Sequence, residues 1–132
     1  MTENYKIIKN SKVIDVVAEN ESAWIDLEKD RRIYAGYWRL NSKVEMVVSS
    51  FENKQGYGMP NNIINAVEIL KQKITNAAIV DLQIDEITND LNLYFDNNYT
   101  LQIFSFTGNE DWEIEISEDI SILSNYAKNY LK

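Results

Sequence analysis

The chain has 132 residues, 45% of them hydrophobic and 26% charged, with 13 basic against 21 acidic side chains. That length is one domain's worth, and the apolar fraction excludes collagen-like, low-complexity and wholly disordered classes because it can offset chain entropy. The absence of cysteine and histidine excludes disulfide scaffolds, thiol nucleophiles, Cys/His zinc sites and histidine general bases.

The first residues, Met1-Thr2-Glu3-Asn4-Tyr5, lack the basic-then-apolar layout of a secretory signal, and no apolar run is long enough to cross a bilayer. A cytoplasmic location is the expectation. Residues 13–17, 23–27, 33–40 and 44–50 read as strands, with β-branched and aromatic residues between polar breaks. Within 29–43, Lys29, Arg31, Arg32, Arg39 and Lys43 are interleaved with Tyr34, Tyr37 and Trp38, a pattern seen on platforms for single-stranded nucleic acid. Asp26, Glu28 and Asp30 flank it, however, and the pI is about 4.5, so no nucleic-acid partner is expected. The segment suits contact with an acidic surface, within one molecule or between two.

Residues 55–60 carry two of the four glycines and the only proline, a weak internal boundary in a single domain spanning 1–132. Beyond it Ile63, Val67, Leu70 and Ile74 keep helical spacing, and Pro60 suits a first turn, which predicts a helix over 61–73. Strict alternation follows. Val80, Leu82 and Ile84 alternate with Asp81, Gln83 and Asp85, and Leu91, Leu93 and Phe95 with Asn92, Tyr94 and Asp96. Leu101 and Ile103 alternate with Gln102 and Phe104, and Trp112, Ile114 and Ile116 with Glu113 and Glu115. Four half-buried strands with short connections predict an antiparallel meander. At the turn Asp96-Asn97-Asn98-Tyr99, a register pairing Phe95 with Leu101 and Leu93 with Ile103 keeps apolar against apolar, with Asn98 left-handed. A C-terminal helix over 118–130 is predicted from Ser117 as cap, the acids Glu118 and Asp119 after it, and a stripe through Ile120, Leu123 and Ala127. The expected class is α+β: an antiparallel sheet, a meander in its second half, with one central and one C-terminal helix.

The formal charge of −8 belongs wholly to residues 67–132, and no Lys or Arg lies between Lys73 and Lys128 while eleven acids do. Such a one-signed stretch repels nucleic acid and membrane headgroups and steers cationic partners. The outer face of the meander would carry Asp81, Asp85, Tyr94, Asp96, Phe104, Glu113 and Glu115, acids around aromatic side chains, and these are the candidate partner-binding residues. Phe104 and Phe106 are also what a C-terminal helix could cover. Catalysis finds little support. Carboxylate pairs such as Glu113 and Glu115 follow from strand alternation alone, no Gly-x-Ser-x-Gly elbow occurs, and Gly56-x-Gly58 lacks a third glycine. No catalytic residue, metal or cofactor is expected.

Over residues 70–116 the chain resembles the C-terminal module of small bacterial immunity proteins encoded beside polymorphic or contact-dependent toxins. Leu70 and Ile74, then Leu91, Leu93 and Phe95, Asn97 and Asn98, Leu101 and Ile103, and Asp111 with Trp112 carry the likeness. Asn98 stands where glycine is usual. The resemblance implies a non-catalytic protein that binds and blocks a cognate toxin, with no functional residue to carry over because the shared positions are core positions. Together with the acidic surface it points to an inhibitor of a basic toxin domain, a nuclease being the class whose cationic cleft an acidic plug would fit. Two alternatives stand beside it: a self-associating structural domain whose 29–43 segment meets a neighbour's acidic half, and a small-ligand module around Trp24, Tyr37 and Trp38. The sequence leaves the oligomeric state open.

Overall fold

Ten strands and one α-helix make up the regular structure within residues 4–59, 63–106 and 111–124, which the computed structural model describes. In chain order the strands are β1 (Val13–Glu19), β2 (Ser22–Leu27), β3 (Arg31–Ala35), β4 (Trp38–Asn41), β5 (Met46–Ser49), β6 (Ile79–Ile84), β7 (Leu91–Phe95), β8 (Thr100–Ile103), β9 (Trp112–Ser117) and β10 (Ile120–Leu123), with α1 (Ala66–Ile74) between β5 and β6. They form two antiparallel five-stranded sheets, one ordered β1-β2-β3-β9-β10 and the other β5-β4-β8-β7-β6. Alternation explains the strands: Ile25, Ile33 and Ile114 on the first sheet, and Leu40, Leu93 and Leu101 on the second, are fully buried in one shared core cluster.

Backbone hydrogen bonds and the chain itself link the two sheets. Along one side, Asn10 N–H donates to the Ile79 carbonyl and Ile79 N–H to the Ser11 carbonyl, while Val13 and Asn76 each contribute a further bond across the seam. Elsewhere the chain itself crosses at Gly36-Tyr37, where Gly36 N–H donates to the Asp111 carbonyl at 3.0 Å and the Tyr37 carbonyl accepts from Phe104 N–H at 2.8 Å. Among the described residues, asparagine holds five of the nine left-handed non-glycine positions. Asn10, Asn20, Asn76, Asn89 and Asn98 all have positive φ, because this glycine-poor chain needs the next most tolerant residue there.

Helix α1 starts at Ala66, with the Asn65 side chain accepting from Glu68 N–H at 3.1 Å, rather than at residue 61. Ile63 is exposed and precedes it, and Pro60, expected in its first turn, lies outside the described residues. Ala66, Val67, Leu70 and Ile74 are its buried positions, and Lys71 reaches Asp15 of β1 at 3.2 Å. The predicted strand over 33–40 is two strands in different sheets, divided at the Gly36-Tyr37 crossing.

Four further expectations are corrected. The four-strand meander has only three consecutive members, because β9 pairs with β3 and β10 instead of with β8. The expected C-terminal helix is overturned over its first part: Ile120–Leu123 is the edge strand β10, with Ile122 opposite Ile114, and the remainder falls in 125–130, outside the described residues. In β6 a register shift between Ile79 and Asp81 turns Val80 outward, so Ile79 and Leu82 take the inward places. The β7–β8 hairpin pairs Leu93 with Leu101 and Leu91 with Ile103, two residues from the expected register. A slip of two preserves every facing, and Asn98 holds the left-handed position with φ 71°.

Candidate functional site

Because β9 belongs to the first sheet, the seven candidate residues do not form one face. Asp81 and Tyr94 are paired neighbours on the outer side of the second sheet. Glu113 and Glu115 lie on the outer side of the first sheet, beside Tyr34 and Arg32. The buried core separates the two. Phe104 follows β8 at the end of the second sheet remote from Tyr94, which pairs with Thr100. Residues 120–123, part of the helix that could have covered Phe104, run instead along β9.

Three of the candidate acids are occupied by their own backbone. Asp85 closes the β6–β7 turn, one carboxylate oxygen accepting from Ile87 N–H at 2.8 Å and Thr88 N–H at 2.9 Å. Asp96 accepts from Ala78 N–H at 3.1 Å, and Asp81 from Leu82 N–H at 2.9 Å beside the irregularity in β6. Asp90 does the same for Ser105 N–H at 2.7 Å. Carboxylates placed this way supply acceptors that the hairpin ends lack. Between them the second-sheet face is mostly amide: Tyr94 OH donates to Gln83 at 3.1 Å, and Arg39 and Asn41 both donate to the Gln102 oxygen. Asp81, Gln83, Asp85 and Asn92 line a shallow hollow with Tyr5 and Lys6.

The N–H groups of Thr88 and Ile87 hold the Asp85 carboxyl below its ordinary value of 3.8. A depressed folded value means that the contribution is present at neutral pH and lost as the pH falls through that value. Asp85→Asn keeps the acceptor and removes the charge, so its stability deficit relative to the parent should shrink from about pH 5 towards about pH 2. Urea unfolding across that range measures it, and a constant deficit would show that the turn does not use the charge.

On the first-sheet face the cross-strand pairs are Trp24 with Tyr34 and Asp26 with Arg32. The rings of Trp24 and Tyr34 sit 4.9 Å apart, Trp24 Nε1 donates to Glu19 at 2.9 Å and Tyr34 OH to Ser22 at 3.2 Å. Arg32 lies 4.3 Å over the Trp24 ring while its Nε donates to Asp26 at 2.8 Å. The cation of this face is therefore taken up twice, by a ring and by a carboxylate.

Comparison with protein-family models, curated proteins and solved structures gives no match.

Glu113, opposite Tyr34, and Glu115, opposite Arg32, extend that face from β9. Both are half-exposed, and neither has a hydrogen bond or ion pair among the described residues. The face thus presents two unengaged carboxylates beside an aromatic pair and a neutralised arginine. Among the described residues no three acids converge as a metal site would require, and no helix is long and apolar enough to cross a membrane.

The proposed pocket of Trp24, Tyr37 and Trp38 does not assemble: Trp38 is in the core, Trp24 on the first-sheet face and Tyr37 at the crossing. The basic 29–43 segment is likewise divided, with Arg32 on one sheet and Arg39 on the other. Sequence reasoning missed Trp24, Tyr34 and the Asp26–Arg32 pair as companions of Glu113 and Glu115. A signal existed, since Trp24 with Tyr34 and Asp26 with Arg32 are both symmetric about Lys29, as a hairpin turning there demands.

Proposed function

We propose that this is a non-catalytic, cytoplasmic binding protein of the immunity or inhibitor kind, which occludes a basic toxin domain through the outer face of its first sheet. The observation that carries the reading is the pair Glu113 and Glu115, without hydrogen-bond or ion-pair partners among the described residues, next to Trp24 and Tyr34. Interfaces of this kind place aromatic anchors at the centre and use charge for steering and discrimination. Asp81, Asp85 and Asp96 act at longer range, adding to the negative field while serving their turns. The resemblance over 70–116 agrees with this reading but adds little weight, because Leu70, Ile74, Leu91, Leu93, Phe95, Leu101, Ile103 and Trp112 are all buried.

The test first looks for a toxin domain encoded by a neighbouring gene, and uses that domain as the binding partner. Glu113→Lys/Glu115→Lys should slow association at low salt by about tenfold or more and flatten its salt dependence. Co-expression of the parent chain should protect cells from the toxin, and the double variant should protect less. An unchanged association rate would remove this face from the interaction, and failure of the parent to bind or protect would remove the inhibitor reading.

A further inference from the structure

The two sheets repeat each other strand for strand. Read as β1-β2-β3-β9-β10 and β6-β7-β8-β4-β5, each takes three strands from one half of the chain and its last hairpin from the other. The registers agree. Val13 with Leu27 matches Ile79 with Phe95, and Val16 with Ile25 matches Leu82 with Leu93. Ile25 with Ile33 matches Leu93 with Leu101, and Ile33 with Ile114 matches Leu101 with Leu40. The irregularity after Val13 recurs after Ile79, with Asp15 accepting from Val16 N–H at 2.8 Å as Asp81 does from Leu82 N–H at 2.9 Å. Helix α1 packs on β1, and the short helical turn Asn4–Ile8 packs on β6.

The anchors recur too. Trp112 Nε1 donates to the Asn89 carbonyl between β6 and β7 at 2.8 Å, as Trp38 Nε1 does to the Glu21 carbonyl between β1 and β2 at 3.0 Å. Ser50 Oγ accepts from Trp38 N–H and Ser124 Oγ from Trp112 N–H, each at 2.9 Å, and both serines are buried. Along the seam the bonds are reciprocal about the Lys12–Ala78 bridge. Asn10 N–H donates to Ile79 as Asn76 N–H does to Val13, and Val13 N–H donates to Ala77 as Ile79 N–H does to Ser11. At the crossing, Gly36 N–H to Asp111 is answered by Phe104 N–H to Tyr37. Unrelated strands that share a core have no reason to share register, irregularity and anchor together.

We propose that the chain is a fused pair of one duplicated unit, residues 8–50 and the described part of 74–124, related by an approximate two-fold axis at the Lys12–Ala78 bridge. Each unit is the other's partner, and the last hairpin of each is the surface that fits the open strand edge of the other. Exchange of an identical element is a low-cost way of joining two copies. The exchanged hairpins, 38–50 and 112–124, have the same length and both begin with tryptophan and end with serine. The outer faces have diverged: Glu113 and Glu115 stand where Arg39 and Asn41 stand, and Trp24 and Tyr34 where Asn92 and Gln102 stand. A partner therefore meets two different faces, not two copies of one site.

Hairpin transplants in the full chain test it, read by far-ultraviolet circular dichroism and urea unfolding. No toxin is needed, so the result is independent of the inhibitor reading. Replacing residues 112–124 by the sequence of 38–50, or 38–50 by that of 112–124, should give a folded chain with one cooperative transition at a lower urea concentration than the parent. Giving 112–124 the sequence of 39–51 shifts the hairpin by one residue, reverses every facing and should abolish the transition. Ser50→Ala and Ser124→Ala should lower the urea midpoint by comparable amounts, because each strands the N–H of an equivalent tryptophan. Loss of the cooperative transition in both in-frame transplants overturns the proposal. A shifted transplant as stable as the in-frame one, or one serine variant that keeps the parent's midpoint while its counterpart lowers it, overturns it as well.

Discussion

Trp38→Ala should lower stability by about 3–5 kcal/mol, the largest loss expected from one substitution in this chain. Trp38 opens β4 immediately after the chain leaves the first sheet, and its side chain is fully buried. Its ring nitrogen donates to the Glu21 carbonyl at 3.0 Å, tying the β1–β2 turn to the second sheet, while its own backbone exchanges bonds with Ser50 Oγ. Alanine therefore leaves a cavity and an unpaired carbonyl together. Trp38→Phe separates these contributions: it fills much of the space and loses only the hydrogen bond, at a cost of about 1–2 kcal/mol from that bond. Urea denaturation followed by far-ultraviolet circular dichroism measures both. Equal losses for the two variants would mean that packing around the ring contributes little.

Gly36→Ala should cost about 2–3 kcal/mol for a different reason. A Cβ there would lie 2.7 Å from the Asp111 carbonyl oxygen, a backbone atom that is itself the acceptor for Gly36 N–H. The Gly36 carbonyl is held in turn by Ser22 Oγ at 3.0 Å, so the strand cannot shift without breaking one bond or the other. Gly58 makes the comparison informative. Its φ of +83° disfavours a side chain, but nothing lies within 4 Å of the added atom. Gly58→Ala should thus cost only the left-handed penalty, about 1–2 kcal/mol. If Gly36→Ala unfolds at the same urea concentration as Gly58→Ala, the crossing between the sheets is looser than its geometry indicates.

Alternation along 80–84, 91–95, 101–103 and 112–116 revealed strands and, apart from the irregularity at Val80, which side of each faces inward. It could not reveal neighbours. Trp112 and Ile114 would be equally buried against β8 or against β3, and only the three-dimensional structure shows that β9 takes the latter. That single choice divided the candidate face, because Glu113 and Glu115 followed β9 to the other sheet. The C-terminal misreading has a similar origin. Ile120 and Leu123 satisfy helical spacing, Ile120 and Ile122 satisfy strand spacing, and the free edge of β9 made the extended form the one with hydrogen-bond partners. Acid counting was silent about hydrogen bonds for a related reason: Asp85 and Glu113 are alike in the sequence, but one satisfies a turn and the other has no hydrogen-bond partner among the described residues.

Placing β9 beside β3 has a consequence during synthesis. Residues 32–35 cannot complete their sheet until residues 112–115 have emerged from the ribosome, at about 5–20 residues per second. For several seconds the nascent β1-β2-β3 ribbon carries a naked border next to Ile33, the kind of edge that recruits stray strands. A lower temperature of expression, or a chaperone that shields exposed strand edges, should therefore raise the yield of folded protein.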